Sequence, residues 1–324
     1  MILESTQVLT FTNLKGGVGK TTSTANVGSA LAKLGYKVLL VDWDQQGNLT
    51  KFFGIDKVDN LKTLFQALIH EPESEEFYDP EKLSPYEVPL YKGNLYLLAA
   101  DFELSKFDAL FGQPGLQGSE YVLASALSPF LDDFDFILID TAPSLSRLTL
   151  NAYYASDFLI IPLEPGGFSS EGLNKILNIK SKAKKHAKID LKIAGVFFSR
   201  TKPNTVLTKD FFRDFKERED VDTLDTVIRD YVPLAESAEL NMDIFSYDAY
   251  MNEDEEQYKQ TNGVEDYYNL TNEILYKIGL TKSFNRSRIE EASEKKETDV
   301  VKKNLSKKKG SLKADFENFL KQNV

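Results

Sequence analysis

The stretch VLTFTNLKGGVGKTT, residues 8–22, decides the fold. Val8 to Thr12 is a β-branched and aromatic run and reads as a buried strand. Asn13 breaks it, Gly16, Gly17 and Gly19 make a turn, and Lys20, Thr21 and Thr22 open a helix. Glycine lacks a Cβ, so such a turn can take positive φ and bring backbone N–H groups against phosphate oxygens. The helix N-terminus adds unpaired N–H groups and the positive end of its dipole. Residues Gly16, Gly17, Val18, Gly19, Lys20, Thr21 and Thr22 are therefore a candidate cradle for a nucleotide polyphosphate. Lys20 would reach the terminal phosphates, and Thr21 would place its hydroxyl on Mg²⁺. The alternative is a glycine turn that merely joins a strand to a helix.

The flanking sequence extends the unit. Thr22 to Leu34 reads as a helix with an Ala- and Leu-containing face, stopped by Gly35. Lys37 to Val41 reads as a short strand covered on both faces, and it runs into Asp42-Trp43-Asp44. A strand, a short crossover and a second strand imply parallel pairing. Further strands are expected at 94–100, 134–140, 158–163, 192–199 and 226–229. Helices are expected at 61–70, 103–111, 119–131, 169–186 and 205–217, with a short one just before the strand at 158–163 and a long acidic one within 253–278. Residues 71–89 are acidic, contain four prolines and read as a surface excursion. Strands and helices alternate, and polar residues collect where strands end. The expected fold is α/β: a doubly wound, mostly parallel sheet with helices on both faces and its ligand at the carboxyl edge.

Three acids stand at those edges. Asp140 ends the apolar run FDFILID, where a carboxylate could hold Mg²⁺; the alternative is a turn or helix cap. Asp42 and Asp44 alternate around Trp43, so their side chains share one side of the strand.

The totals narrow the class. At 324 residues the chain can bury a substantial core. It has no cysteine, which excludes disulfides, thiolate catalysis and cysteine-ligated clusters. Two histidines, His70 and His186, cannot build a histidine-rich metal site. No apolar run is long enough to span a bilayer, and MILESTQ shows no secretory pattern, so a cytoplasmic protein is expected. The net charge of −11 opposes binding to nucleic acid at long range, but it is uneven. Residues 282–324 carry twelve Lys/Arg and seven Asp/Glu, a net of +5, which leaves −16 on residues 1–281.

The phosphate loop departs from G-x-x-x-x-G-K-[ST]: the first glycine position holds Leu14, and a second lysine, Lys15, follows. KGGVGKTT thus resembles the deviant Walker A motif of the ParA/MinD family of ATPases. The resemblance continues through VDWDQQGNLT, FDFILIDTAPSL, IIPLEPGGFSSEGL and VIRDYVPLAESAELNMDIFSYD, and it covers roughly residues 7–279. The last of these segments is more similar to chromosome- and plasmid-partition ParA proteins than to MinD. The lack of cysteine argues against the related nitrogenase iron protein.

The resemblance implies ATP and Mg²⁺ as ligands and slow, partner-stimulated hydrolysis. It gives Asp44 the role of positioning the attacking water, Asp42 a supporting place in the metal shell, and Asp140 the Walker B role. It implies that Lys15 crosses an interface to the nucleotide of a second copy, so that ATP promotes a homodimer. It further implies nonspecific DNA as the surface bound by that dimer, a ParB-like adaptor as partner, and a place on the nucleoid. The DNA-contact pattern carries over only in part. Arg200 matches a family arginine, but Asp230 and Pro233 fall on basic positions, and Arg229 occupies a proline position. Lys182, Lys184 and Lys185 lie in a basic cluster that reads equally as a set of phosphate contacts or as a solvated helix end.

The ATPase domain is expected over residues 1–280, followed by a charged, disordered linker at 281–310 and a short amphipathic helix at 311–324. That last segment follows Lys307, Lys308 and Lys309 and supports a MinD-like, membrane-cycling alternative. A regulator that binds ATP without cycling is a third reading.

Overall fold

The computed structural model describes residues 5–55, 63–64, 83–111, 119–166, 169–187, 190–252 and 262–281. Its frame is one eight-stranded sheet: β1 (Gln7–Phe11), β2 (Val38–Trp43), β3 (Tyr86–Glu87), β4 (Leu95–Leu98), β5 (Phe136–Thr141), β6 (Phe158–Leu163), β7 (Lys192–Thr201) and β8 (Thr223–Arg229). The order across the sheet is β3-β4-β2-β5-β1-β6-β7-β8, and every pairing except β3 with β4 is parallel. β1 lies in the interior, and helix α1 (Lys20–Lys33) carries the chain from it past the β5 position to β2.

The central strands are buried on both faces, and their side chains alternate between two cores. Leu9 and Phe11 join Val38, Leu40, Phe136 and Leu138 on the face covered by α1 and by α10 (Asn262–Lys277). Val8, Leu39, Val41, Ile137 and Ile139 face the other way, toward α4 (Val122–Leu127) and α5 (Arg147–Tyr154). Beside them, Leu159, Ile161, Val196 and Phe198 pack with α6 (Ser169–Ala187) and α7 (Val206–Lys216). Gly28 sets the depth at which α1 packs: a Cβ there would lie 2.6 Å from Leu40 Cδ2.

The edges of the sheet differ from its centre. β3 is only two residues long. β8 pairs with β7 on one side; on the other, α10 supplies carboxylates to its backbone. Glu273 accepts from Asp225 N–H at 2.6 Å and from Thr226 N–H at 2.8 Å, and Asp266 accepts from Arg229 N–H at 2.9 Å.

The doubly wound reading holds, with local differences. β3 lies in the stretch expected as a surface excursion. The helix expected at 103–111 is a 3₁₀ segment, Phe102–Lys106, followed by the short α3 (Phe107–Phe111). The one at 119–131 shortens to α4 and a 3₁₀ turn at Ser128–Phe130, where Pro129 sits. Three helices were not anticipated: α2 (Asn48–Phe52), α8 (Val232–Glu239) and α9 (Ile244–Met251). The helix expected at 61–70 lies outside the described residues except for Thr63 and Leu64, as do residues 282–310 of the linker and the segment 311–324. No helix among the described residues is long and apolar enough to cross a membrane.

Candidate functional site

Where β1 ends, the chain turns through the phosphate loop and enters α1. Gly17 and Gly19 have φ of 75° and 81°, the left-handed region that a side chain disfavours. Gly19 is also the N-cap of α1 and offers no side-chain cap, and there is no acid in the first helical turn. The first N–H groups of the helix are thus available to an anion. β7 clasps the loop from one side: Ser199 Oγ donates to Val18 O at 2.6 Å, and Arg200 Nη1 donates to Gly17 O at 3.1 Å.

Lys20 is 6 % exposed, and its Nζ donates to Lys15 O at 3.3 Å. Burial pushes its pKa down, against the pull of Asp140 and Asp44. A buried ammonium of this kind gains strongly from an anion beside it.

The three edge acids come together here. β2 and β5 are adjacent, and their register sets Asp42 opposite Asp140. Both are fully buried. Burial raises the Asp140 pKa, and the neighbouring Asp42 carboxylate adds to the effect; the Thr21 hydrogen bond and Lys20 oppose it. Thr21 Oγ1 donates to Asp140 Oδ2 at 2.6 Å, whereas the buried Asp140 Oδ1 has no hydrogen-bond partner. An orphaned carboxylate oxygen beside a hydroxyl, two carboxylates side by side and a phosphate cradle fit a hydrated Mg²⁺ that shares its ligands with phosphate. No group of three or more acidic or histidine side chains among the described residues forms a protein-only cage. An ion held through one carboxylate, one hydroxyl and phosphate oxygens needs none.

Asp42, expected in a supporting place in the metal shell, is held by donors of the protein itself. Its Oδ2 accepts from Thr50 N–H at 2.8 Å and from Thr50 Oγ1 at 2.7 Å, and its Oδ1 accepts from Asp44 N–H at 3.3 Å. Burial pushes its pKa up to about 6. With both oxygens engaged, Asp42 ties the end of β2 to α2 and steadies Asp44. Asp44, 4 % exposed, accepts from Gln46 N–H at 3.0 Å and reaches the cavity wall.

That cavity encloses about 440 Å³. It is lined by Gly16, Gly17, Gly19, Lys20, Thr21 and Thr22 of the phosphate loop and α1, by Asp44, and by Ile228, Arg229, Asp230, Tyr231, Leu234, Ala235 and Ala238 from the end of β8 into α8. The phosphate loop thus supplies polar groups and Leu234, Ala235 and Ala238 of α8 supply apolar surface, the two kinds of lining a nucleotide needs. A larger cavity of about 570 Å³ lies at the amino ends of β1 and β6, near Gln7, Asp157 and Lys192, and contains none of the residues above.

The DNA-contact candidates separate. Arg200 reaches the phosphate loop and lines the cavity, with a φ of 51° unusual for a side-chain-bearing residue. Arg229 is engaged within the fold: its guanidinium bonds Asp266 at 2.6 Å and Glu265 at 2.8 Å, because its place on the edge strand faces the acidic side of α10. Those bonds push its pKa upward. Lys182, Lys184 and Lys185 fall near the C-terminal end of α6, away from the phosphate loop in sequence.

The loop lysine has a partner that sequence reasoning missed. Lys15 Nζ bonds Glu164 Oε2 at 2.5 Å at the carboxyl end of β6. Ser199 and the α8 wall were missed as well. Asn13 was read as a strand breaker and is more than that: its amide donates to Pro162 O at 2.6 Å while its oxygen accepts from Lys15 N–H at 2.9 Å.

A family model described as an AAA domain matches residues 6–193. The sporulation initiation inhibitor protein Soj of Bacillus subtilis is 32% identical over 268 residues, covering 83% of this chain and 98% of its own. The chromosome-partitioning ATPase Soj of Treponema pallidum is 32% identical over 273 residues, covering 84% and 98%. Among solved structures, cobyrinic acid a,c-diamide synthase from Mycobacterium smegmatis, with a bound ATP analogue and magnesium, is similar with a TM-score of 0.62. It has 29% identity and covers 79% of this chain and 99% of its own.

Proposed function

This chain belongs to the ParA/MinD family of P-loop ATPases, and from that premise we propose that it is a partitioning ATPase of the Soj/ParA type, which binds and hydrolyses ATP with Mg²⁺. The observation that carries the reading is that Lys20, Thr21 and Asp44 line one cavity, with the buried Asp140 hydrogen-bonded to Thr21 behind it.

Loop N–H groups and the Lys20 ammonium would neutralise the terminal phosphates, while the apolar α8 wall receives the base. Thr21 and Asp140 would hold Mg²⁺, which supplies charge neutralisation between the outer phosphates. Asp44 would orient the attacking water and, steadied by Asp42, does so from a fixed position. Lys15 acts across an interface on the nucleotide of a second copy, so ATP favours the homodimer. The dimer then holds nonspecific DNA, with Lys182, Lys184 and Lys185 as contacts, and a ParB-like adaptor speeds hydrolysis and release. A cytoplasmic, nucleoid-associated protein follows from this cycle.

Turnover and sedimentation with ATP test it. Lys20→Ala is expected to lose nucleotide binding and turnover together. Asp44→Ala is expected to lose turnover, by about 10²-fold or more, while still forming the ATP dimer. Normal hydrolysis by Asp44→Ala would remove the water-positioning role. A gel shift with random-sequence DNA in ATP, ADP or no nucleotide tests the output, which requires retention with ATP alone.

A further inference from the structure

The phosphate loop contains two lysines, and the fold treats them differently. Lys20 is buried and lines the cavity. Lys15 is absent from that lining; its side chain is 45% exposed and turns toward Glu164, itself 31% exposed. The direction is built in. β1 and β6 are neighbours, so Leu14-Lys15 and Leu163-Glu164 leave the sheet side by side. Asn13 stitches the two exits together, holding Pro162 O with its amide and Lys15 N–H with its oxygen. The ammonium and the carboxylate are thereby kept within reach whatever their charge.

We propose that Glu164 is a positioning residue that stores Lys15 and competes with the second copy's nucleotide for its ammonium. The inference rests on the proposed action of Lys15 across the dimer interface. In the single chain the ammonium has a carboxylate partner. To contact a phosphate outside its own cavity it must leave that partner, so each subunit has one ion pair to break before the interface forms. The competition raises the ATP-dependent dimer dissociation constant. It is modest because both groups are partly solvated, and a partly exposed pair shifts an equilibrium only a few-fold.

The experiment is equilibrium sedimentation of the full chain with Mg²⁺ and a nonhydrolysable ATP analogue. Five proteins are compared: wild type, Glu164→Gln, Glu164→Asp, Lys15→Gln and the Glu164→Gln/Lys15→Gln double variant. Glu164→Gln is expected to tighten the dimer about two- to five-fold per interface lysine released. Glu164→Asp, which keeps the charge, returns the constant toward wild type. Lys15→Gln weakens the dimer, and adding Glu164→Gln to it changes nothing further. An unchanged or weaker Glu164→Gln dimer, with Lys15→Gln still weakening, overturns the storage role and leaves the interface reading standing. Equal tightening by Glu164→Gln with and without Lys15 also overturns it, because Glu164 would then act on something else. A Lys15→Gln dimer as tight as wild type removes the interface reading and the storage role with it. Thermal unfolding of Glu164→Gln at the wild-type temperature shows that the comparison is between folded proteins.

Discussion

Arg200 shows how one residue can serve the backbone and the site at once. It holds a φ of 51°, a region that costs an L-residue about 1–2 kcal/mol, and its guanidinium reaches Gly17 O. The strain and the contact can be separated. Arg200→Ala loses the contact and keeps the strain, whereas Arg200→Gly loses both. Urea unfolding is expected to find the glycine variant more stable than the alanine variant by about 1 kcal/mol, with both binding ATP more weakly than wild type. Arg229 makes the complementary case. Arg229→Ala would leave the nearly buried Asp266 carboxylate without its cation, at a cost of about 2 kcal/mol after allowing for the partial exposure of the arginine. The residues legible in the sequence were those whose meaning is local: Lys20 and Thr21 follow the glycines, and Asp140 ends an apolar strand. Glu164 and Asp266 were not legible, because they lie 149 and 37 residues from Lys15 and Arg229 and only the fold brings them together.

Among the elements, α10 does more than cover a core. Glu273 is 3% exposed and has its two oxygens on two successive N–H groups of β8. Glu273→Ala would leave those donors with no acceptor in a largely buried setting. A loss of about 2–4 kcal/mol is expected in denaturant unfolding, with early hydrogen exchange at Asp225 and Thr226. Helix α1 is limited by its close packing instead. Gly28→Ala would press a methyl onto Leu40 and is expected to cost about 1–3 kcal/mol, even though alanine is the better helix former. The sheet strands were legible because buried parallel strands are continuous apolar runs. Helices α8 and α9 were not, because their short amphipathic patterns were read only as a family segment. β3 was hidden as well, since two residues before a proline carry no period to read.

At the scale of the molecule, charge and shape set what can approach. Removing residues 282–324 would shift the net charge from −11 to −16. If DNA is the bound surface, the shortened chain is expected to show weaker ATP-dependent retention on random-sequence DNA at low salt. The difference should fade as salt shortens the Debye length to about 10 Å near 0.1 M. Liposome flotation of the two forms separates a DNA role of this segment from a membrane role. The carboxylates on β8 have a consequence for assembly. At one margin of the sheet, carboxylates already hold outward donors of β8; at the other, β3 is too brief to template a strand. Among the described residues neither margin invites a ninth strand, which disfavours edge-to-edge backbone pairing of copies there. In the proposed dimer, by contrast, a two-fold contact through the carboxyl-edge surface would use each copy's patch once and close at two.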